Sequence, residues 1–145
     1  MKKIIYVLMH IISPDKSVMV GLIKKKGPAF LIGKLTVPGG KAEEGEDIFE
    51  ASSRETKEEC GLVIEKNQWK LFDTIEMPDY TYHKLYTVTD KVIEAKRQEN
   101  EIEPVFVMDI KDHMQMAQEL PHLYTDDFLE NINKVFLDLK VKMKP

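Results

Sequence analysis

Cysteine is almost absent from this 145-residue chain: Cys60 stands alone. One thiol cannot close an internal disulfide, so no covalent staple holds the fold, and a reducing, cytoplasmic setting is expected. Cys60 falls on the apolar side of a helical stretch and reads as a small buried residue, not a reactive thiol. Excess positive charge is absent too. The formal net charge of −4 argues against a general nucleic-acid surface. No apolar run is long enough to span a membrane. The N-terminal MKKIIYVLMHIIS is interrupted by His10, lacks a small-residue cleavage site and runs into the turn Ser13-Pro14-Asp15-Lys16. It therefore reads as a buried strand and not an export signal. The histidines, His10, His83, His113 and His122, lack the spacing of a metal-ligand set. With no repeat, low-complexity tract or linker, residues 1–145 read as one domain.

What the chain does have is the stretch 38–62, PGGKAEEGEDIFEASSRETKEECGL. Pro38-Gly39-Gly40 and Gly45 read as a flexible, tightly turning loop that lets backbone approach a ligand. Asp47 to Cys60 reads as a helix stopped by Gly61. Positions three and four apart share a helical face, so Glu55, Glu58 and Glu59 project together, with Phe49, Thr56 and Cys60 on a core side. Clustered carboxylates are tolerable when fully solvated, with Arg54 and Glu58 as an ordinary i,i+4 ion pair, or when they hold a cation. Hard oxygen ligands suit Mg²⁺ or Mn²⁺.

The rest of the chain alternates strands with helices. Lys3–Ile12 reads as a central strand, Val18–Ile23 as its hairpin partner, and Trp69–Met77, Thr81–Thr89 and Pro104–Ile110 as further strands. Asp112–Gln118 reads as a short helix, and Thr125 as the cap of a last helix from Asp126 to about Lys140. Such an order predicts a mixed β-sheet flanked by helices. Lys24-Lys25-Lys26 is either a solvated strand edge or a source of phosphate contacts. Tyr80, Tyr82 and Tyr86 share a strand face that serves either as core or as a base-stacking wall.

The spacing from Gly40 through Glu46 to Arg54-Glu55, Glu58-Glu59 and Gly61-Leu62 resembles the signature of the Nudix hydrolases at every fixed letter. Only Thr56 departs, standing where an aliphatic residue is usual. The resemblance implies an α/β/α sandwich and metal-dependent hydrolysis of a nucleoside diphosphate linked to another moiety. By position, Glu55, Glu58, Glu59 and the Gly39 carbonyl would bind the metal, and Glu55 would also accept a proton from water. Arg54 would orient a glutamate, and Glu46 would hold the loop against the helix. Glu101, in Asn100–Phe106, matches a further metal-binding glutamate of oxidised-purine triphosphatases, with Glu99 and Glu103 as rivals. Asp126 and Asp127 resemble the acidic pair by which those enzymes read a purine edge, and also suit a plain helix start. Thr36 replaces a base-reading Asn, and Lys41 is either a phosphate contact or a solvated side chain. Pro78 and Tyr80 echo patterns of dinucleotide and ADP-ribose hydrolases and point both ways. The expectation is a monomer or homodimer that splits a nucleoside triphosphate, canonical or oxidised, into monophosphate and pyrophosphate. Hydrolysis of ADP-ribose, a nucleotide sugar or a dinucleoside polyphosphate is the enzymatic alternative. A non-catalytic nucleotide sensor is the alternative of another class.

Overall fold

The computed structural model describes residues 3–143, and the side chains as far as residue 140. The apolar run near the N-terminus forms β1 (Ile4–Ile12), at the centre of the sheet. It can be apolar on both faces because both are covered. Val7, Met9 and Ile11 pack against α1 (Ile48–Cys60), while Leu8 and Ile12 pack against α2 (Ile110–Glu119) and α3 (Phe128–Met143). The result is the expected α/β/α sandwich.

β2 (Val18–Ile23) returns antiparallel to β1 and carries β3 (Leu35–Thr36) and β7 (Val105–Asp109). β6 (Tyr80–Val88) runs parallel to β1 in unbroken register from Ile4↔Tyr80 to Ile12↔Val88. A parallel pair needs a crossover, and the intervening chain supplies it together with α1. β5 (Lys70–Glu76) pairs antiparallel with β6 and closes that side of the sheet.

Two expectations change. Gly39-Gly40-Lys41 is not a flexible turn. It is a short strand, β4 (Gly39–Lys41), paired with β1 at Val7↔Gly40 and Leu8↔Gly39. Gly45 does turn as expected, with a left-handed φ of 81°, and Gly27, Gly33 and Gly61 are left-handed as well. Thr125 does not cap the last helix, which begins at Phe128; its hydroxyl donates to Thr36 Oγ1 at 3.2 Å. Asp47 does cap α1, accepting from the Phe49 and Glu50 amides at 2.9 and 2.8 Å, and Gly61 ends that helix at φ 76°. Among the described residues no helix is long and apolar enough to cross a membrane.

His10 sits on the α3 side of β1, fully buried edge-on to Phe72. Burial holds its pKa down, from 6.5 to about 4. Between those values the unfolded chain binds a proton that the folded chain refuses, so stability is full above pH 6.5 and falls as the pH drops toward 4. At about 1.4 kcal/mol per pH unit the loss reaches roughly 3 kcal/mol. Glu59, whose pKa burial raises, titrates over the same range with the opposite sign, so the His10 contribution is read as a difference. Urea melts at pH 4.5 and 7 should show a His10→Gln variant gaining stability relative to its parent at pH 4.5.

Candidate active site

β4 and α1 build the site between them. Val7 points toward α1, so its partner Gly40 does too, and a Cβ at Gly40 would overlap the Glu55 carboxyl group. Gly39 has no room either, because a Cβ there would lie 2.8 Å from the Val7 carbonyl oxygen. These glycines serve close approach, not turning. Gly40→Ala should displace the Glu55 carboxyl group at small cost in stability, because the overlapped atoms are the far end of a flexible side chain. Thermal melting checks the stability, and the loss of Glu55 from its place should lower turnover in the same variant.

Arg54 ties the parts together. Its Nε and Nη2 donate to both Glu46 oxygens at 2.8 and 3.0 Å, and Nη2 also reaches the Lys41 carbonyl at 2.9 Å. Its Nη1 donates to Glu55 at 2.9 Å and to Glu58 at 3.2 Å. These carboxylates raise the guanidinium pKa above its already high value, the Glu46 hydrogen bonds first among the causes. Glu46 thus fixes the 41–46 loop to the helix.

The three helix glutamates differ. Glu58 has a half-exposed side chain, 50 %, and lies on the rim with Arg54. Glu55 and Glu59 line a cleft of about 800 Å³. Glu59 is only 6 % exposed, and its Oε2 is buried without a hydrogen-bond partner. Burial, reinforced by the charges of Glu55, Glu103 and Glu101, pushes its pKa up to about 9. Burial also raises Glu55, against the lowering pull of Arg54.

From the loop before β7, the carboxylate that lines the cleft is Glu103, not Glu101. Glu103 is buried, accepts from the Lys25 amide at 3.0 Å and pairs with Lys24 Nζ at 3.2 Å. Glu101 lies off the cleft wall and pairs with Lys26 Nζ at 3.7 Å. Lys24, Lys26, Lys34 and Lys41 also line the cleft. Among the described residues no group of three or more His, Cys, Asp or Glu forms a ready-made cation cage. The donor set nevertheless fits a divalent cation. A buried, unpartnered carboxylate oxygen beside two more carboxylates is costly without a positive charge and favourable with one.

The α3 side of the cleft has different chemistry. Tyr82 stacks on Tyr6 at 5.7 Å and Tyr80 meets Tyr6 edge-on at 5.9 Å, and all three line the cleft. Tyr86 instead is core, its hydroxyl bonded to Asp138. Thr36, Thr125, Asp126 and Asp127 line the cleft as well. With them stands Lys84, unnoticed in the sequence: it is 2 % exposed, 2.8 Å from Asn131 Oδ1 and 3.1 Å from Asp127 Oδ2. Strand alternation held the signal, because Lys84 lies between Tyr82 and Tyr86 on a face otherwise read as aromatic.

A glycine strand pressed on a carboxylate-bearing helix, within an α/β/α sandwich, is the frame on which this cleft is built. The NUDIX domain family model matches residues 5–127, and the chain belongs to the Nudix hydrolase family. The NUDIX domain of Shewanella oneidensis NrtR, solved with ADP ribose, is similar in fold: TM-score 0.74 at 15 % identity, over 96 % of this chain and 90 % of that one. A MutT protein from Methanosarcina mazei Go1 gives 0.67 at 18 % identity, over 97 % and 99 %. A MutT/nudix family protein from Enterococcus faecalis gives 0.62 at 18 %, over 75 % of this chain but only 44 % of that one. No curated protein matches the sequence. At these identities the likeness is one of fold.

Proposed function

We propose that the protein is a Mg²⁺-dependent pyrophosphohydrolase that splits a nucleoside triphosphate into monophosphate and pyrophosphate. The observation that carries this reading is a single cleft, about 800 Å³ and sized for one nucleotide, that joins two chemistries. Buried carboxylates stand on its α1 side, and polar groups suited to a base stand on its α3 side among tyrosines.

Glu55, Glu59 and the Gly39 carbonyl would hold the cation, with Glu58 completing the set from the rim and Glu103, in place of Glu101, from the opposite loop. When bound, the cation neutralises the diphosphate and acidifies water. Glu55, with its raised pKa and its Arg54 hydrogen bond, is poised to take a proton from the attacking water. Lys41, Lys24 and Lys26 would offset phosphate charge along the cleft wall. Thr36, Asp126 and Asp127 would face the nucleoside.

A second reading, hydrolysis of ADP-ribose, draws support from the NrtR domain, solved with that ligand. A release screen with Mg²⁺ separates the readings, using nucleoside triphosphates, ADP-ribose, nucleotide sugars and dinucleoside polyphosphates, with Glu59→Gln as control. Pyrophosphate from a triphosphate, lost in the control, is the expected result. Turnover of ADP-ribose alone overturns the substrate, and tight nucleotide binding without any turnover makes the protein a sensor.

A further inference from the structure

Lys84 breaks the pattern of its own strand. The face of β6 that carries Tyr82 and Tyr86 packs against α3, and alternation puts an apolar residue at position 84. A buried ammonium is costly there, and a well-packed hydrophobe is commonly the more stable choice. Places where a chain departs from the local rule tend to be sites of function.

The ammonium has three N–H donors. Asn131 takes one at 2.8 Å, and Asp127 pairs with the charge at 3.1 Å. Asp73 lies 3.9 Å away, beyond hydrogen-bond reach. Both Lys84 and Asp127 line the cleft, and the Asp127 side chain keeps 39 % of its surface exposed. The α3 side of the cleft thus sets a donor beside an acceptor, with the stacked pair Tyr6 and Tyr82 as the adjoining wall.

We propose that Lys84 and Asp127 form a donor–acceptor pair that selects nucleobases with a lactam edge, in which a carbonyl oxygen adjoins a ring N–H. Guanine, hypoxanthine and uracil present that edge. The carbonyl accepts from Lys84, and the ring N–H donates to Asp127. Held in the same orientation, adenine and cytosine present the reverse order, an amino group beside a bare ring nitrogen, which sets donor against donor and acceptor against acceptor. A site built to hydrogen-bond one edge rejects the other strongly, because its own polar groups are left unpaired. This inference rests on the nucleotide reading of the cleft but not on which bond is cut.

Calorimetric binding of nucleoside monophosphates keeps the two apart, because it needs no turnover. The wild-type protein should bind guanosine and inosine monophosphates at least about tenfold more tightly than adenosine and cytidine monophosphates. Lys84→Met, and separately Asp127→Asn, should bring that ratio to within about twofold, the Asn because its amide can also present a donor. Thermal melting of each variant identifies the folded ones, and Asp127→Asn serves if Lys84→Met does not fold. Equal binding of all bases by the wild type overturns the proposal. So does an unchanged ratio in the folded variants, or no binding of any base at millimolar concentration. A triphosphate screen that fails while the lactam preference holds would overturn the hydrolytic reading alone.

Discussion

Glu59→Gln should lower kcat/KM about 10³-fold while leaving the metal-free protein as stable as its parent or more so. The two effects have one cause. Glu59 is a buried carboxylate whose Oε2 meets no hydrogen-bond donor, among neighbouring carboxylates that repel it. In the metal-free fold at neutral pH the group takes up a proton, because burial pushes its pKa to about 9. That proton uptake costs stability as the pH rises from 4.5 toward 9, because the unfolded chain has already released the proton. Glutamine has the same shape and no charge, so the cost disappears. In the working enzyme the same carboxylate would face a cation, and losing several kcal/mol of charge stabilisation corresponds to about 10³-fold in rate. Mg²⁺ should raise the melting temperature of the parent by mass action and leave that of the variant nearly unmoved. Unchanged turnover in Glu59→Gln would remove this residue from the site.

Helix α1 was legible in the sequence because its determinants are local. Asp47 as cap, Gly61 as stop and the three-and-four spacing of the glutamates need no tertiary information. A mixed sheet flanked by helices was legible from the order of apolar runs, and the sandwich from the family resemblance. Other features depended on what packs where. Gly39 and Gly40 look like turn residues, and only their pairing with β1 reveals them as strand residues kept small for Glu55 and Leu8. The glutamates look alike along the helix, yet tertiary packing buries Glu59 and leaves Glu58 half exposed. Glu101 and Glu103 are two residues apart in a loop without periodicity, so sequence could not say which one turns inward; the amides of Lys25 and Lys26 settle it for Glu103. Lys84 finds its partner Asn131 across 47 positions, a contact no local pattern encodes.

Arg54→Lys should cost about 10–100-fold in kcat/KM and also destabilise the fold, although the charge is retained and no cation ligand is removed. Arg54 acts through shape. Its planar fork satisfies both oxygens of Glu46, the Lys41 carbonyl, Glu55 and Glu58 at once, at distances of 2.8 to 3.2 Å. An ammonium is a point charge with three donors and cannot span that set. Glu46 is itself held below the usual carboxylate range by those hydrogen bonds, so its carboxylate would be left half-satisfied against the loop. With the 41–46 segment loosened, Glu55 loses the donor that opposes its burial and drifts toward its protonated form, unable to accept a proton from water. The rate loss should therefore lie mainly in kcat, with KM nearly constant, and the acid limb of the pH–rate profile should move upward. Equal loss in kcat and KM with an unmoved profile would mean that Arg54 only supports the fold.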